Sequence, residues 1–178
     1  LYTLRGAKVR DALRWSNYID ESIQLFGEAE VYLASHHWPV WGNQRIINFL
    51  EVQRDTYKYL HDQSVRLFNQ GLTPGEIAEQ LELPASLQTA FHNRGYYGTT
   101  RHNARAVYQG YLGWYDGNPA NLNPHPPVEA AGRNVALAGG SEAMLQQAQA
   151  AFDAADYRWA AELLNHLVFA EPGNTAAT

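Results

Sequence analysis

Two adjacent histidines, His36 and His37, lie in the segment SHHWPVWGN (residues 35–43), directly after the short apolar run VYLA. Imidazole is a common zinc ligand and a common general acid or base, and a rigid turn at the end of a strand positions a ligand well. Alternatively, the pair packs beneath Trp38 and Trp41. Zinc requires at least three protein ligands, and the chain contains no H-x-H-x-D-H or H-E-x-x-H cluster, so a zinc site here needs most of its ligands from elsewhere.

A second set of reactive side chains occurs in GYYGTTRHN, residues 95–103. Phenol, hydroxyl, guanidinium, imidazole and amide groups stand close to a predicted helix start. Helix N-termini and arginine are suited to a doubly charged oxyanion. The alternative is an aromatic plug in a helical core with Arg101 in solvent. Arg5, followed by Gly6, is a similar anion-binding candidate, and its alternative is an ordinary surface arginine.

The elements that position the histidines are a helix and a strand. Apolar spacing predicts an amphipathic helix over residues 6–26. The run EVYLAS, residues 30–35, predicts a strand buried on both faces of a layered α/β domain. The histidines then lie just past its carboxyl end, where ligands bind in open α/β sheets. Asn43 is predicted to cap a second helix that runs to about Asn69, roughly 40 Å long.

The middle of the chain predicts shorter helices. Thr73 and Glu76 form a capping box with Pro74 between them, which predicts a helix through about Leu83. A short helix follows Pro84. The phrase GLTPGEIAEQLELP is typical of the first helix of a helix-turn-helix, but the following ASLQTAFHNR offers one terminal cation and little that reads base edges.

The second half combines turns and helices. A helix is predicted from about residue 100 to 115, and the proline-rich PANLNPHPP, residues 119–127, predicts an extended loop. Residues 141–172 resemble one tetratricopeptide-type helical hairpin whose helices meet at Asp156-Tyr157. A single such repeat needs other helices against which to pack.

Composition narrows the class of protein. The chain has 178 residues, 46% of them apolar, and a net charge of −5, which disfavours non-specific nucleic-acid binding. Cysteine is absent, which excludes disulfides and thiolate chemistry. No apolar run is long enough to span a membrane. The opening LYTLRGAKVRDAL reads like the middle of a longer sequence, so we expect a fragment.

Together these motifs resemble the bacterial alkyl sulfatases of the metallo-β-lactamase superfamily. The resemblance rests on TLRGAKVRDALRW, SHHWPVWGN, RGYYGTTRHNARAVYQGYLGWYDGNPANL and DYRWAAELLNHLVFAEP, which occur in the family's order and span essentially the whole chain. It implies a mainly α fold. Residues 1–42 would end a zinc-binding αββα catalytic domain, and residues 43–178 would form a helical dimerisation domain with the tetratricopeptide-like hairpin.

The resemblance also implies an activity. The family's enzymes are homodimers that carry two zinc ions and a C-terminal lipid-transfer-like domain. They hydrolyse alkyl sulfate esters such as dodecyl sulfate to an alcohol and sulfate. We expect at most one metal ligand here and no turnover by residues 1–178 alone. The alternative is a purely structural dimerisation module with no role in the active site. Periplasmic, secreted and cytoplasmic locations all stay open.

Individual residues follow from the family's motif. His37-Trp38-Pro39 matches the H-G-P frame of the last metal ligand, so the resemblance implies that His37 is the ligand and His36 its neighbour. The family's sulfate pocket implies anion-binding roles for residues that are candidates on chemical grounds as well: Arg5, Tyr97, Arg101, His102 and Asn103. His102 and Tyr97 are the two candidates for a direct catalytic role.

Overall fold

The computed structural model describes residues 1–3 and 6–178, so Leu4 and the candidate Arg5 lie outside the described residues. The chain divides into two compact units, Leu1–Gly117 and Asn118–Thr178. Helices predominate in both units, and the strands of the described residues form one two-stranded sheet. The predicted mainly α fold is therefore confirmed. None of the described helices combines the length and apolar character needed to cross a membrane.

The first unit contains most of the candidate residues. Its elements are α1 (Ala12–Phe26), β1 (Val31–Ala34), β2 (His37–Trp41), α2 (Asn43–Phe68), α3 (Pro74–Gln80), α4 (Ala85–Gln88), a 3₁₀ turn (Phe91–Asn93) and α5 (Thr100–Leu112). Helix α2 is the central element, since it packs against α1, α5 and the hairpin. Its 26 residues agree with the long helix predicted from the sequence.

Helix α1 begins later than the apolar spacing predicts. Asp11 has an extended backbone, and its carboxylate accepts a hydrogen bond from the Arg14 amide at 3.0 Å, which fixes the helix start. Before it, Gly6 adopts φ +79°, and the Arg10 amide donates to the Leu1 carbonyl at 3.3 Å. Residues 6–11 are therefore a non-helical and mostly exposed segment.

The predicted buried strand is an exposed hairpin, so that expectation is wrong. Strand β1 pairs antiparallel with β2, with Ala34 opposite His37 and the turn Ser35-His36 between them. Leu33 is 70% exposed and Trp38 67%, so neither strand is buried on both faces. The prediction missed β2 because Pro39 lacks a backbone donor. A strand at a sheet edge tolerates such a residue.

Asn43 does not cap α2, contrary to the prediction. It is the first helical residue, and Gly42 occupies the cap position with φ +91° and no side-chain cap. The Asn43 side-chain amide instead donates to the carbonyls of Gly27 at 2.6 Å and Ala29 at 3.1 Å. Asn43 thus ties the start of α2 to the chain that follows α1.

A buried apolar cluster joins α2, α3 and α5. Its members are Leu60, Leu67, Ile77, Leu81, Ala104 and Tyr108. The capping box is present as predicted, with Glu76 bonded to the Thr73 amide at 2.8 Å. However, α3 ends at Gln80, and α4 has only four residues. A helix of one turn is too short to serve as a recognition helix in a DNA groove, so the helix-turn-helix reading gains no support.

Helix α5 starts at the predicted position and ends at Leu112, three residues early, because Gly113 turns the chain with φ +82°. The Thr99 hydroxyl caps it by accepting from the His102 amide at 3.2 Å. This cap places residues 100–103 in the first turn of α5, where the exposed amides and the positive end of the helix dipole lie.

The second unit is a small helical cluster. It contains α6 (Pro119–Leu122), α7 (Pro127–Leu137), α8 (Ser141–Asp153) and α9 (Tyr157–Ala170). The proline-rich segment is therefore partly helical, because Asn118 caps the single turn of α6. As predicted, α8 and α9 form a hairpin that meets at Asp156, the N-cap of α9. Helix α7 packs on α9, and the cluster around Leu163 and Leu167 supplies the core.

Candidate functional site

His37 lies at the turn end of the hairpin, and one of its ring nitrogens has no hydrogen-bond partner among the described residues. His37 is exposed, and its Nδ1 lies 2.6 Å from the carbonyl oxygen of Trp38. A carbonyl can only accept a hydrogen bond, so Nδ1 carries a proton, and in the neutral ring the Nε2 lone pair is available. This is the tautomer of a metal-ligating histidine whose other nitrogen donates to a backbone carbonyl. His36 occupies the exposed turn position beside it.

Two aromatic rings lie beside the His37 ring. The Trp38 ring lies 4.6 Å from it, centroid to centroid, and the Phe49 ring of α2 lies 6.1 Å away. These groups line a cavity of about 250 Å³ whose polar members also include Arg45 and His92. The alternative, in which the histidines pack beneath the two tryptophans, differs from the structure because His37 lies beside the Trp38 ring but is itself exposed.

His92 is a residue of this cavity that the sequence analysis did not identify. It lies in the 3₁₀ turn, 55 positions after His37, and its ring meets Phe49 edge-on at 4.7 Å. Its Nε2 is buried without a hydrogen-bond partner among the described residues. Burial, and then the positive charge of a protonated His37, lower the pKa of His92. No short-range sequence signal links these two histidines, because α2 lies between them and Phe49 brings them together.

Tyr97 and Asn103 line a second cavity, of about 260 Å³, that also includes His92. Its other polar lining residues include Tyr2, Arg10, Arg94, Thr99 and Thr100. The Asn103 side-chain oxygen accepts a hydrogen bond from the Leu1 nitrogen at 2.8 Å. Hydroxyl, amide and guanidinium donors thus surround this cavity, and they are the groups that bind oxyanions. Because His92 lines both cavities, the His37 cavity and the Tyr97 cavity are neighbours.

Arg101 and His102 lie beside this cavity rather than on its lining. The Arg101 guanidinium is 3.2 Å from the Glu79 carboxylate of α3 and lines an adjoining cavity of about 420 Å³ that also includes Arg94 and Thr99. His102 is exposed in the first turn of α5, with its Nδ1 2.9 Å from the Thr99 hydroxyl. Their sulfate-binding and catalytic roles stay predictions.

His37 can provide only part of a metal site. Within residues 1–3 and 6–178, no three histidine, aspartate or glutamate side chains come close enough to bind one ion. The donor chemistry of His37 fits zinc, but a tetrahedral site requires at least two further protein ligands. Any zinc held by His37 therefore takes its remaining ligands from polypeptide outside this set of residues.

Comparison with known proteins defines the class. The family model for alkyl sulfatase dimerisation matches residues 73–178, which is more than half of the chain, so the protein belongs to this family. The chain is 51% identical over 177 residues to a linear primary-alkylsulfatase of a Pseudomonas species and 52% identical over 178 residues to the alkyl/aryl-sulfatase BDS1 of Saccharomyces cerevisiae. Each alignment covers 99% of this chain but only 26% and 28% of those relatives.

A solved structure shows the same fold. The chain aligns with the stereoselective inverting sec-alkylsulfatase Pisa1 from a Pseudomonas species with a TM-score of 0.92 and 51% identity. The match covers 97% of this chain and 28% of that chain. The protein thus spans about a quarter of the length of the alkylsulfatases that it matches, and it corresponds to one portion of such an enzyme.

Proposed function

We propose that this chain is the portion of a zinc-dependent alkyl sulfatase that supplies one metal ligand, part of the sulfate pocket and the dimerisation module. The observation that carries the proposal is the identity of 51–52% to curated alkylsulfatases over 99% of the chain. In the proposed assignment, residues 1–42 end the metallo-β-lactamase-like catalytic domain and residues 43–178 form the dimerisation domain of a homodimer. The substrate is an alkyl sulfate ester of the dodecyl sulfate type.

His37 is the proposed metal ligand. Its Nδ1–H bond to the Trp38 carbonyl fixes the tautomer of the neutral ring and orients Nε2, and the Trp38 and Phe49 rings lie beside it. We propose two zinc ions in the complete enzyme, with at most one protein ligand from this chain. Bound zinc supplies Lewis-acid chemistry: it lowers the pKa of water and screens anionic charge.

The turn before α5 is the proposed anion-binding part. Tyr97 and Asn103 face the cavity next to His37, and the cations Arg94 and Arg10 line it with them. These donors would stabilise the negative charge that develops on sulfate as its bond to the alkyl carbon breaks. Arg5 and His102 are assigned to the same pocket, and Arg101 would reach it from the adjoining cavity. Tyr97 or His102 would donate a proton if direct acid catalysis occurs here.

A second function is a purely structural dimerisation module. The observation in its favour is that the matched family is described as a dimerisation family and the match begins at residue 73, after His37. In this alternative the hairpin only packs on α2 and contributes nothing to zinc binding or turnover. The two functions differ in what they require of His37.

The discriminating experiment replaces His37 by alanine in the complete enzyme. We expect the His37→Ala variant to lose about one zinc ion per protomer, measured by plasma mass spectrometry, together with most of the sulfate release from dodecyl sulfate. His36→Ala is the matched control, because His36 is adjacent and equally exposed but has no assigned ligand role; it should keep both. Unchanged zinc and rate in His37→Ala would establish the structural alternative instead.

The isolated chain provides a separate test. Because one histidine cannot assemble a zinc site, residues 1–178 with added zinc should release no sulfate from dodecyl sulfate. Ion chromatography of sulfate measures this directly, and the complete enzyme is the positive control. Turnover by the isolated chain would contradict the proposed division of ligands.

A further inference from the structure

A further cavity in the first unit borders the Tyr97 cavity, with which it shares Arg10. It has a volume of about 350 Å³ and is formed by the segment before α1, the middle of α2 and the end of α5. Its polar lining residues include Lys8, Arg10, Arg14, His61 and Tyr111. Neither the sulfate pocket nor the metal ligand proposed above uses His61 or Tyr111.

The charge of this cavity favours anions. Three cations and a single carboxylate, Asp11, line it. Asp11 is already engaged, since it caps α1 and lies 3.5 Å from the Arg14 guanidinium. Among the described residues, Lys8 and Arg10 form no ion pair. A concave site with such a surplus of positive charge raises the local concentration of small anions.

Two of the lining residues, His61 and Tyr111, belong to a hydrogen-bonded chain of three side chains that ends at Asp62. The His61 Nδ1 lies 2.8 Å from the Asp62 carboxylate, and the His61 Nε2 lies 2.7 Å from the Tyr111 hydroxyl. His61 is only 8% exposed, whereas Tyr111 is 55% exposed at the cavity. The buried imidazole therefore has both nitrogens occupied, one by an acid and one by an accessible phenol.

The protonation pattern of this chain follows from the donors and acceptors. Burial alone would raise the pKa of Asp62, but hydrogen bonds from Lys58 and His61 outweigh it and keep that pKa below its usual value. Asp62 is thus a carboxylate at neutral pH and accepts the Nδ1 proton of His61. In the neutral form of His61, Nε2 then accepts a hydrogen bond from the Tyr111 hydroxyl. Tyr111, His61 and Asp62 thus correspond to a nucleophile, its general base and the group that orients that base.

We propose that Tyr111 is a base-activated phenol in an anion-attracting cavity, and so a covalent modification site for aryl electrophiles that carry an anionic group. With an aryl sulfonyl fluoride, the Tyr111 oxygen forms a bond to sulfur, the sulfur–fluorine bond breaks, fluoride leaves and the phenolic proton passes to His61. No oxidant or reductant is needed. Lys8, Arg10 and Arg14 attract the anionic group, and Gly110 keeps the approach free of a side chain.

The test treats the complete enzyme with 4-(fluorosulfonyl)benzoate and maps the adducts by peptide mass spectrometry. Tyr157 is the internal reference, because it is 61% exposed and its ring partner is Phe152 rather than a histidine. A positioned general base contributes roughly 10²–10⁴-fold, so labelling at Tyr111 should exceed that at Tyr157 by more than about tenfold. Labelling of Tyr111 no faster than Tyr157 would overturn the proposal.

Variants separate the base from the charge. His61→Gln should reduce Tyr111 labelling to the rate of Tyr157. Asp62→Asn changes a half-exposed position and should also slow Tyr111 labelling, so it provides the test if the buried His61→Gln variant does not fold. Lys8→Glu should slow labelling by the benzoate reagent but not by neutral benzenesulfonyl fluoride. Unchanged Tyr111 labelling in Asp62→Asn would refute activation by His61. Equal effects of Lys8→Glu on the two reagents would refute the attraction of the anionic group. These readouts do not depend on zinc or sulfatase activity.

Discussion

Asn43 offers the sharpest distinction between a sequence-based role and the observed one. As an N-cap, Asn43 could be replaced by aspartate at no cost, since the two residues cap helices equally well. In the structure its side-chain amide instead donates to the Gly27 and Ala29 carbonyls. A carboxylate cannot donate to either carbonyl and would place negative charge beside both oxygens, so Asn43→Asp should destabilise the protein.

The magnitudes favour this outcome. Each lost hydrogen bond costs about 1 kcal/mol, so Asn43→Ala should lower the free energy of unfolding by about 2 kcal/mol. Asn43→Asp loses the same bonds and adds repulsion, while its interaction with the helix dipole returns only about 0.3–1 kcal/mol. We therefore expect Asn43→Asp to be at least as destabilising as Asn43→Ala.

Urea denaturation followed by tryptophan fluorescence measures both variants, and amide exchange in β1 and β2 reports the hairpin that Asn43 anchors. Asp11→Asn is the matched control, because Asp11 is an observed N-cap and the change should stay within about 0.5 kcal/mol. An Asn43→Asp protein as stable as the wild type would show that the capping role, and not the observed carbonyl contacts, describes this residue.

Three further predictions concern other elements. Leu167→Ala, at a fully buried position of the second unit, should cost about 2–5 kcal/mol in denaturation experiments, whereas Leu137→Ala, at a residue 87% exposed, should change little. Thr99→Ala removes the α5 cap and should cost about 1 kcal/mol, with faster amide exchange in residues 100–103. The pKa of Asp62 is below its unfolded value of 3.8, so its stabilising contribution is present above that pH and disappears as the pH falls through the folded pKa. Asp62→Asn should therefore flatten the stability profile below pH 3.8, which urea denaturation at a series of pH values measures.

The sequence predicted the elements whose signals are local. The Thr73–Glu76 box and the helix junction at Asp156 each involve residues within one helical turn, so their hydrogen bonds depend little on the rest of the chain. The apolar period likewise predicted α2 over its whole length. Four motifs taken together, spread from TLRGAKVRDALRW to DYRWAAELLNHLVFAEP, indicated the family, which the comparisons then showed.

The tertiary structure decided what depends on distant partners. Strand β2 exists because β1 supplies its hydrogen bonds despite Pro39, and Asn43 points to carbonyls 14 and 16 positions earlier instead of to its own helix. His37 and His92 share a cavity only because Phe49 lies between them. Hydrogen bonds and ring contacts between distant residues form only after the chain has folded, so no local pattern in the sequence contains them.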